Sequence, residues 1–464
     1  MEKWDILDLR GIVSDEKRVI PGDRIPRHCL SDGLKRNIGS AAALVFPVTT
    51  GEVRSLMAYA YPRDIPVTLR GAGTNLTGST VPRGEGIILD FSHMNRILEI
   101  DRETFTVTVE PGVLLQDLQN TLEARGLFYP PDPGEKTATI GGNIATNAGG
   151  MRAVKYGVTR DYVRGLEIVM PNGTVMNLGG KTVKDASGLS LKHLIIGSEG
   201  TLALITKGIL KVLPLPQETL GAVAAFPSLA AGIAAVNRIL MSAGDPTAIE
   251  FLEHSVVKLG EAYTGVDFPL SGSAAYLLLS YHGDSKEDIL NRIGLAEKAV
   301  RSAGAEDFLV IADQDALERA WRIRGCLVKA VEAVSEQEPL DMVVPINRIS
   351  DFIGSVHQLE AESGITMVAF GHAGDGNVHL CVMREHRDAE SWDRECKGVL
   401  AKLYRTITRM GGLVSGEHGI GIAKQAYYLE NTPPENLALM RQIKAVFDPK
   451  DLLNTGKSYA DPRC

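Results

Sequence analysis

The sequence predicts an α+β protein with more than one domain, and three observations lead to this prediction. The chain has 464 residues, which is too long for a single hydrophobic core. Short strand-like runs that end in glycine turns fill the N-terminal part, whereas strand-like runs in the middle part alternate with long amphipathic helices. The 48 glycines are concentrated at 71–86, 134–157, 165–200 and 411–421, so the pattern of the N-terminal part returns near the C-terminus.

Three segments follow from this distribution. Residues 1–215 should form the first domain, and residues 216–405 should form a second, α+β domain. Residues 406–464 should pack back on the first domain and complete the functional site. The first boundary is placed at 212–216 (Val-Leu-Pro-Leu-Pro), because proline interrupts both helices and the hydrogen bonds of a sheet.

The individual elements follow from hydrophobic period and turn signals. A short apolar run that ends in glycine or proline predicts a strand, and apolar residues at helical spacing predict a helix. In the first domain we expect strands at 65–70, 87–90, 106–110 and 167–170, a helix at 113–124, and a hairpin turn at 171–174. In the second domain we expect strands at 274–280 and 308–311 and helices at 286–303 and 314–334.

Composition and charge argue against some functional classes. The 49 basic and 57 acidic residues give a net charge of −8, whereas a nucleic-acid partner requires a basic face. Five widely spaced cysteines fit a reduced compartment and lack the spacing of a zinc or iron–sulfur motif, so any such cluster would belong to a partner chain. We see no signal peptide and no apolar run long enough to span a bilayer. We therefore expect a cytoplasmic protein, with peripheral docking at a membrane still open, and a homodimer is compatible with these data.

The segment 70–78 (Arg-Gly-Ala-Gly-Thr-Asn-Leu-Thr-Gly) has the chemistry of an anion-binding loop. Gly71 and Gly73 let backbone N–H groups approach an anion closely, and successive N–H groups of this kind form a nest for phosphate. The threonines and the asparagine that follow add side-chain donors. The spacing is neither the dinucleotide-fold fingerprint nor a Walker loop. Taken alone, the segment could equally be a plain turn between a strand and a helix.

A second glycine-rich constellation favours a bound cofactor. It runs from residues 130–134 (Pro-Pro-Asp-Pro-Gly) through 139–150 (Thr-Ile-Gly-Gly-Asn-Ile-Ala-Thr-Asn-Ala-Gly-Gly) to Gly157 and 196–202. Because small and amide residues bury little apolar area, such a segment needs a large polar molecule to wrap around. The alternative is a series of tight turns in a β-rich domain.

Two glycine-flanked motifs near the C-terminus carry the residues for chemistry. His372 and His379 flank a Gly-Asp-Gly turn at a spacing of seven residues, which a hairpin or a bent strand could aim at one point. Further on, Glu417 and His418 lie between glycines. Two histidines and a carboxylate make a three-ligand site with an open position, suited to zinc, manganese or iron(II). The alternative is two separate groups of buried, hydrogen-bonded histidines.

The middle domain contains a pair of arginines, Arg322 and Arg324, in a helical stretch after Trp321. Residues two apart on a helix face different ways, so only one of them should point into a site. A guanidinium offers a planar fork that fits a carboxylate. The alternative is a solvated helix face.

These segments together resemble the FAD-binding domain of the vanillyl-alcohol oxidase / p-cresol methylhydroxylase flavoproteins. Within that group, the chain is similar to the branch with D-lactate dehydrogenases, the FAD subunit of glycolate oxidase and D-2-hydroxyglutarate dehydrogenase. The resemblance runs from residues 46–53 to 447–449 and 454–457, with five motifs in family order. It implies a two-subdomain FAD-binding domain, a substrate or cap domain, and a C-terminal segment that returns to the FAD-binding domain.

The resemblance also assigns cofactor residues, position by position. The FAD pyrophosphate would be held by Arg70, Gly71, Gly73, Thr74, Asn75, Leu76 and Thr77. The isoalloxazine ring and the ribityl chain would contact Pro131, Asp132, Thr139, Gly142, Asn143, Thr146 and Gly149. The adenosine half would lie near Glu199, Gly200 and Ile205, and Asn454 would reach the cofactor from the C-terminal segment. Because the loop lacks the histidine or cysteine through which some relatives link FAD, we expect non-covalent FAD.

The predicted function is that of an FAD-dependent dehydrogenase that oxidises a small D-2-hydroxy acid, such as D-lactate, glycolate or D-2-hydroxyglutarate. The resemblance selects Arg324 as the carboxylate anchor and a divalent metal at His372, His379 and Glu417, and His418 would act as general base. Electrons would pass to a quinone, an electron-transferring flavoprotein or an iron–sulfur subunit. The alternatives are an oxidoreductase of the same fold that acts on another alcohol and a non-catalytic FAD electron-transfer subunit of a complex.

Overall fold

The computed structural model describes residues 5–461, and the chain divides into two units. Unit 1 contains the residues up to Ala148, Val158–Leu215 and the residues from Glu417 onward, and unit 2 contains Gly149–Gly157 and Pro216–Gly416. The chain therefore leaves unit 1 briefly at Gly149–Gly157 and again at the proline-rich segment, and it returns at Glu417.

Unit 1 contains three sheets. The strands, in chain order, are β1 Val19–Pro21, β2 Ala43–Val45, β3 Val67–Arg70, β4 Ile87–Asp90, β5 Ile97–Asp101, β6 Thr106–Val109, β7 Leu127–Phe128, β8 Val163–Val169, β9 Val175–Gly179, β10 Leu204–Lys211 and β11 Leu213–Pro214. They form a four-stranded sheet in the order β1-β2-β4-β3, a five-stranded sheet in the order β5-β6-β10-β8-β9, and the pair β11-β7. The helices of this unit are Ile6–Ile12, Thr50–Ala60, Leu115–Glu123, Ile140–Thr146, Thr159–Tyr162, Lys192–Ile195, Gln425–Asn431 and Pro434–Phe447.

The four-stranded sheet places the glycine loop. β3 and β4 run parallel, and Leu453 of the C-terminal segment extends the sheet by a bridge to Val67. Helix Thr50–Ala60 begins at Thr49, whose side chain accepts a hydrogen bond from the N–H of Glu52 and so satisfies one of the free donors of the first turn. The loop that starts at Gly71 leaves the carboxyl end of β3. β3 and β4 are held in place because Val67, Ile87 and Leu89 are buried in the hydrophobic core of this unit.

The five-stranded sheet confirms the predicted hairpin. β8 and β9 pair from Val169↔Val175 to Gly165↔Gly179, with the Pro-Asn-Gly-Thr turn between them. Gly173 in that turn has a φ of +85°, which an L-residue with a side chain rarely adopts.

Unit 2 is built on one antiparallel sheet. Its strands are β12 Glu218–Phe226, β13 Ala248–Glu253, β14 Ala275–Gly283, β15 Asp307–Ile311, β16 Gln337–Val343, β17 Met367–His372 and β18 Asn377–Met383, in the order β15-β12-β14-β13-β17-β18-β16. Its helices are Ala153–Tyr156, Leu229–Met241, His254–Thr264, Lys286–Ser302, Gln314–Glu332, Ile349–Ser363 and Ala389–Arg409. The predicted strands at 274–280 and 308–311 and the predicted helices at 286–303 and 314–334 are confirmed.

One face of this sheet carries the side chains of His372 and His379. The helices His254–Thr264 and Gln314–Glu332 cover that face, and their apolar side chains pack on Leu252 and Phe370. Burial of each such side chain stabilises the fold by about 1.5–3 kcal/mol. Within residues 5–461, no helix is long and apolar enough to cross a membrane.

Candidate functional site

The loop after β3 presents a row of unpaired backbone donors. No residue between 5 and 461 accepts a hydrogen bond from the N–H groups of Gly71 to Thr77. The loop is half-buried, and buried backbone donors are almost always paired. A row of N–H groups of this kind is the donor set that a phosphate requires. The geometry therefore fits the pyrophosphate of FAD.

Arg70 holds this loop from beneath. Its guanidinium donates to the carbonyls of Ser31 and His28, both at 2.7 Å, and lies 3.5 Å from the Asp90 carboxylate. Gly73 has a φ of +72°, and a Cβ atom there would overlap this guanidinium. Arg70 thus shapes the loop through contacts with the protein, and its expected contact with the FAD pyrophosphate stays a prediction.

Asp32 is a second support of the loop, and the sequence analysis missed it. Its carboxylate accepts a hydrogen bond from the N–H of Gly78 at 2.9 Å and from the N–H groups of Leu34 and Lys35. Burial raises the pKa of Asp32, and these hydrogen bonds oppose that effect. A lone aspartate in an irregular segment carries no motif, so no sequence signal could have found it.

The two glycine constellations meet within unit 1. A Cβ atom at Gly71 would overlap Oγ1 of Thr139, so the loop packs directly on the residue that caps helix Ile140–Thr146. Thr139 accepts from the N–H of Gly142, and Thr146 donates to the carbonyl of Gly142 at 3.1 Å. The Asn143 side chain is 5% exposed, and its amide makes no hydrogen bond in the described part of the chain. That amide is therefore available to a polar cofactor.

Glu199 and Asn454 join the C-terminal segment to the rest of unit 1. Asn454 donates to the carbonyl of Glu199 at 2.7 Å and accepts from the N–H of Leu69 at 3.2 Å. The Glu199 carboxylate accepts hydrogen bonds from four groups: the hydroxyls of Ser79 and Ser458 and the N–H groups of Ile420 and Gly421. Both side chains thus bind protein, and both residues have a positive φ.

The remaining residues that the sequence assigned to FAD are spread over several segments. The Pro131 carbonyl and the Asp132 carboxylate both accept from Nε2 of Gln119, and Asp132 also pairs with Lys136. Gly200 and Ile205 lie before and on β10, in unit 1. Leu76 lies in the loop after β3, and Gly149 belongs to unit 2.

The segment 371–380 forms a hairpin, and the two histidines approach each other as predicted. β17 and β18 pair with Phe370 opposite His379 and His372 opposite Asn377. Both rings therefore lie on the same face of the sheet. Their Nε2 atoms are 3.2 Å apart, and the rings are perpendicular with centroids 5.0 Å apart.

Glu250 on β13 is a third member of this group, which sequence reasoning missed. Its carboxylate is fully buried and lies 2.7 Å from Nδ1 of His372 and 2.6 Å from Nε of Arg324. Burial alone would raise the pKa of Glu250, but the charge of Arg324 and the hydrogen bonds from His372 and Arg324 lower it by more. An ionised carboxylate only accepts hydrogen bonds, so Nδ1 of His372 is the donor, and its Nε2 faces Nε2 of His379. A carboxylate inside the apolar run Ala-Ile-Glu-Phe-Leu was the available signal.

The structure separates the two arginines of helix Gln314–Glu332. Arg324 is 7% exposed and points at the sheet, whereas Arg322 is exposed, as the spacing predicted. Beyond its bond to Glu250, Arg324 lies over the ring of Phe370, 5.1 Å from the centroid. Its Nη2 atom is buried and has no hydrogen-bond partner among residues 5–461. This donor is available to an anionic ligand.

Asp341 on β16 is another buried carboxylate that the sequence analysis did not identify. It lies opposite His379 in the sheet and accepts hydrogen bonds from Nδ2 of Asn377 at 2.7 Å, Oγ of Ser415 at 2.8 Å and the N–H of Gly416 at 3.0 Å. In the register, His372 and Asn377 share one row with Glu250, and the next row contains Phe370, His379 and Asp341. All of these side chains lie on one face.

Glu417 and His418 belong to unit 1. The two side chains are 3.9 Å apart at Oε1 and Nε2, and the carbonyl of His418 accepts from Oγ1 of Thr77 at 3.4 Å. The glycines of this motif permit close approach to protein: a Cβ atom at Gly421 would overlap the carbonyl of Thr77. The His418 backbone is therefore held against the loop that starts at Gly71.

The chain is similar to known flavoproteins in both sequence and structure. The model of "FAD linked oxidases, C-terminal domain" matches residues 215–458, and that of "FAD binding domain" matches residues 41–179. A D-lactate dehydrogenase of Anaerostipes hadrus is 42% identical over 95% of this chain and 94% of its own. Glycolate oxidase subunit GlcD of Bacillus subtilis is 36% identical over 90% and 89%. The crystal structure of p-cresol methylhydroxylase with substrate bound superimposes with a TM-score of 0.78 at 16% identity, over 99% and 97%.

The family models and the relatives define a flavoprotein oxidoreductase, and its fold is of the p-cresol methylhydroxylase type. The chain belongs to the FAD-linked oxidases, and FAD is its cofactor.

Proposed function

We propose that this protein oxidises a small D-2-hydroxy acid to the 2-oxo acid, with FAD as the immediate electron acceptor. The proposal is carried by Nη2 of Arg324, which is buried and has no hydrogen-bond partner among residues 5–461. Arg324 points at the face of the sheet on which His372 and His379 face each other. The names of the relatives, D-lactate dehydrogenase and a glycolate oxidase subunit, supply the substrate class. When bound, FAD would accept a hydride, that is one proton with two electrons, from the α-carbon of the substrate, while the hydroxyl proton goes to a base.

Arg324 anchors the substrate carboxylate in this proposal. Its Nε is bonded to Glu250, which fixes the plane of the guanidinium, and Nη2 remains for the ligand. A charge-assisted hydrogen bond in a buried place is strong, so one such contact can set the orientation of a small acid. The α-carbon of the substrate then has a defined direction.

The metal site is proposed at His372, His379 and Glu417. The Nε2 atoms of the two histidines are 3.2 Å apart on one face of the sheet, so one divalent ion would be within reach of both nitrogens. The assignment of Glu417 as the third ligand depends on the sequence motif. Zinc, manganese and iron(II) all accept such ligands, and the cation would lower the pKa of the substrate hydroxyl.

His418 is proposed as the general base that removes the hydroxyl proton. Its side chain is 21% exposed, so a ligand can reach the imidazole. Its backbone carbonyl accepts a hydrogen bond from Thr77, which fixes the position of the main chain. A neutral imidazole is suited to proton transfer near pH 7.

We further propose that FAD is bound without a covalent link and that electrons leave to a quinone, an electron-transferring flavoprotein or an iron–sulfur subunit. The segments 70–78 and 139–150 contain neither histidine nor cysteine. Acid precipitation should therefore release the flavin into the supernatant. Flavin retained on the precipitated chain would contradict this attachment.

The function is tested by anaerobic bleaching of the flavin with glycolate, D-lactate, L-lactate, D-2-hydroxyglutarate and D-malate. We expect reduction by at least one D-acid or glycolate and none by L-lactate. Arg324→Ala should lower kcat/KM by tens to several hundred-fold, with unchanged FAD content. This loss corresponds to about 2–4 kcal/mol of transition-state stabilisation. Arg322→Ala is the matched control, on the exposed face of the same helix, and should behave as wild type. Reduction only by a phenol or a lactone would identify another alcohol substrate, and no reduction by any alcohol would leave the role of an electron-transfer subunit.

The metal and the base are tested together by elemental analysis and kinetics. Chelation should abolish rapid flavin reduction, and His379→Ala should lose the ion. His418→Ala should keep the ion and lose turnover, because a base is not a ligand. A metal-free enzyme that reduces its flavin at the original rate would remove the metal from the mechanism.

A further inference from the structure

Glu250 joins two side chains to which the proposed function gives different tasks. One carboxylate oxygen lies 2.6 Å from Nε of Arg324, and the other lies 2.7 Å from Nδ1 of His372. The side chain is fully buried, and its strand neighbour in the sheet register is His372 itself. The three residues come from β13, helix Gln314–Glu332 and β17, so no local sequence feature brings them together.

We infer that Glu250 is a shared positioning residue, which orients the arginine that anchors the substrate and the histidine that binds the cation. This inference rests on the proposed function. Because Nε of Arg324 is engaged, only the outer edge of the guanidinium with the unpaired Nη2 is left for a ligand. Because Nδ1 of His372 is engaged, the lone pair of its Nε2 is directed towards His379.

A carboxylate is the side chain that can serve both partners at once. Arg324 and His372 both donate, and an ionised carboxylate has two acceptor oxygens and no donor. Glutamine keeps the shape but has one acceptor oxygen and one NH₂ group, so it can accept from only one of the two partners. Glu250→Gln should therefore lose the orientation of Arg324 or of His372, and the two partners should compete for the remaining oxygen.

The consequence is a specific rescue. In Glu250→Gln, we expect the affinity of the chelator-treated holoprotein for Zn²⁺ or Mn²⁺ to fall by 10–100-fold, the usual effect of losing such a support, and KM for the hydroxy acid to rise at least tenfold. In the double variant Glu250→Gln/Arg324→Met, the amide oxygen has only His372 to serve. Metal affinity should then return to within about threefold of wild type, while KM stays high. A merely structural defect would not reverse in this way.

The experiment measures metal affinity by competition with a chromophoric chelator, on protein whose flavin content and thermal stability have been checked. Glu253→Gln is the matched control: Glu253 lies on the same strand and contacts the exposed His357 at 3.1 Å, outside the site. It should leave metal affinity and KM unchanged. If Glu250→Gln alone does not fold, the double variant carries the test, because it buries no unpaired charge.

The outcomes distinguish a failure of the role of Glu250 from a failure of the proposed function. If wild type binds the ion and oxidises a hydroxy acid, but Glu250→Gln matches it in both, the inference about Glu250 fails and the proposed function stands. If the double variant does not regain metal affinity, sharing between two partners is wrong. If wild type binds no ion, the inference fails together with the metal part of the proposed function, and unchanged bleaching by a D-acid would still support the substrate assignment.

Discussion

Gly73→Ala gives the most direct test of the cofactor loop. An added Cβ atom would overlap the guanidinium of Arg70, and a φ of +72° is unfavourable for alanine. Arg70 cannot move away freely, since it donates to the carbonyls of Ser31 and His28 at 2.7 Å. Either these two hydrogen bonds break or the loop shifts and loses its row of N–H donors.

The magnitude follows from those contacts. The left-handed conformation costs about 1–2 kcal/mol, and each hydrogen bond of a charged group contributes about 1.5–3 kcal/mol. The sum is about 4–8 kcal/mol, and since 1.4 kcal/mol is tenfold in an equilibrium constant, FAD affinity or apoprotein stability should fall by about a thousandfold or more.

The assay compares FAD occupancy from the ratio of visible to ultraviolet absorbance, FAD titration into apoprotein, and urea denaturation. Gly84→Ala is the control, because Gly84 has a φ of +84° in an exposed turn with open space around it. It should cost about 1 kcal/mol of stability and leave FAD affinity unchanged. Gly73→Ala protein with wild-type FAD affinity and wild-type stability would refute the assigned role of this loop.

Two further predictions concern buried charges. Burial and the charge of Arg83 lower the pKa of Lys457 to about 7 from 10.5, against the opposing charge of Glu199. Between pH 7 and pH 10.5, Lys457 is protonated in the unfolded chain and neutral in the folded one, so stability rises with pH. The free energy of unfolding of wild type should therefore rise by about 1 kcal/mol per pH unit from pH 7 to 9, relative to Lys457→Met. If both proteins change equally with pH in urea denaturation, the prediction is wrong. Asp341→Asn should lower the free energy of unfolding by about 2–4 kcal/mol, because the amide cannot accept all the donors that face the carboxylate; an unchanged urea midpoint would be inconsistent with its buried network.

The sequence predicted the features that depend on local pattern. The hydrophobic period located helix Gln314–Glu332. Because residues two apart face different ways, it also predicted that Arg322 and Arg324 would not both point into a site, and only Arg324 is buried. The seven-residue spacing around Gly-Asp-Gly predicted that a hairpin could bring His372 and His379 together. In each case, the information lies within a few residues of the chain.

The sequence could not predict which residues the buried carboxylates contact. Glu250 lies 122 positions from His372 and 74 from Arg324, and its contacts depend on strand order in a seven-stranded sheet. Strand order is set by packing of whole faces and not by a motif. For the same reason, the pattern around Arg70 indicated an anion loop but did not show that its guanidinium is bonded to the protein.

Buried carboxylates specify the functional parts of each unit. Glu199 binds four donors in unit 1, and Glu250 and Asp341 bind donors from separate strands, helices and loops in unit 2. Burial of a single charge is costly, and it is tolerated where several donors or a counter-charge surround it. A carboxylate with two acceptor oxygens can collect several such donors from distant segments, whereas an amide or a hydroxyl has only one acceptor oxygen. The motifs of this chain therefore supply the groups for chemistry, and isolated acidic residues outside them, such as Glu250, determine where those groups point.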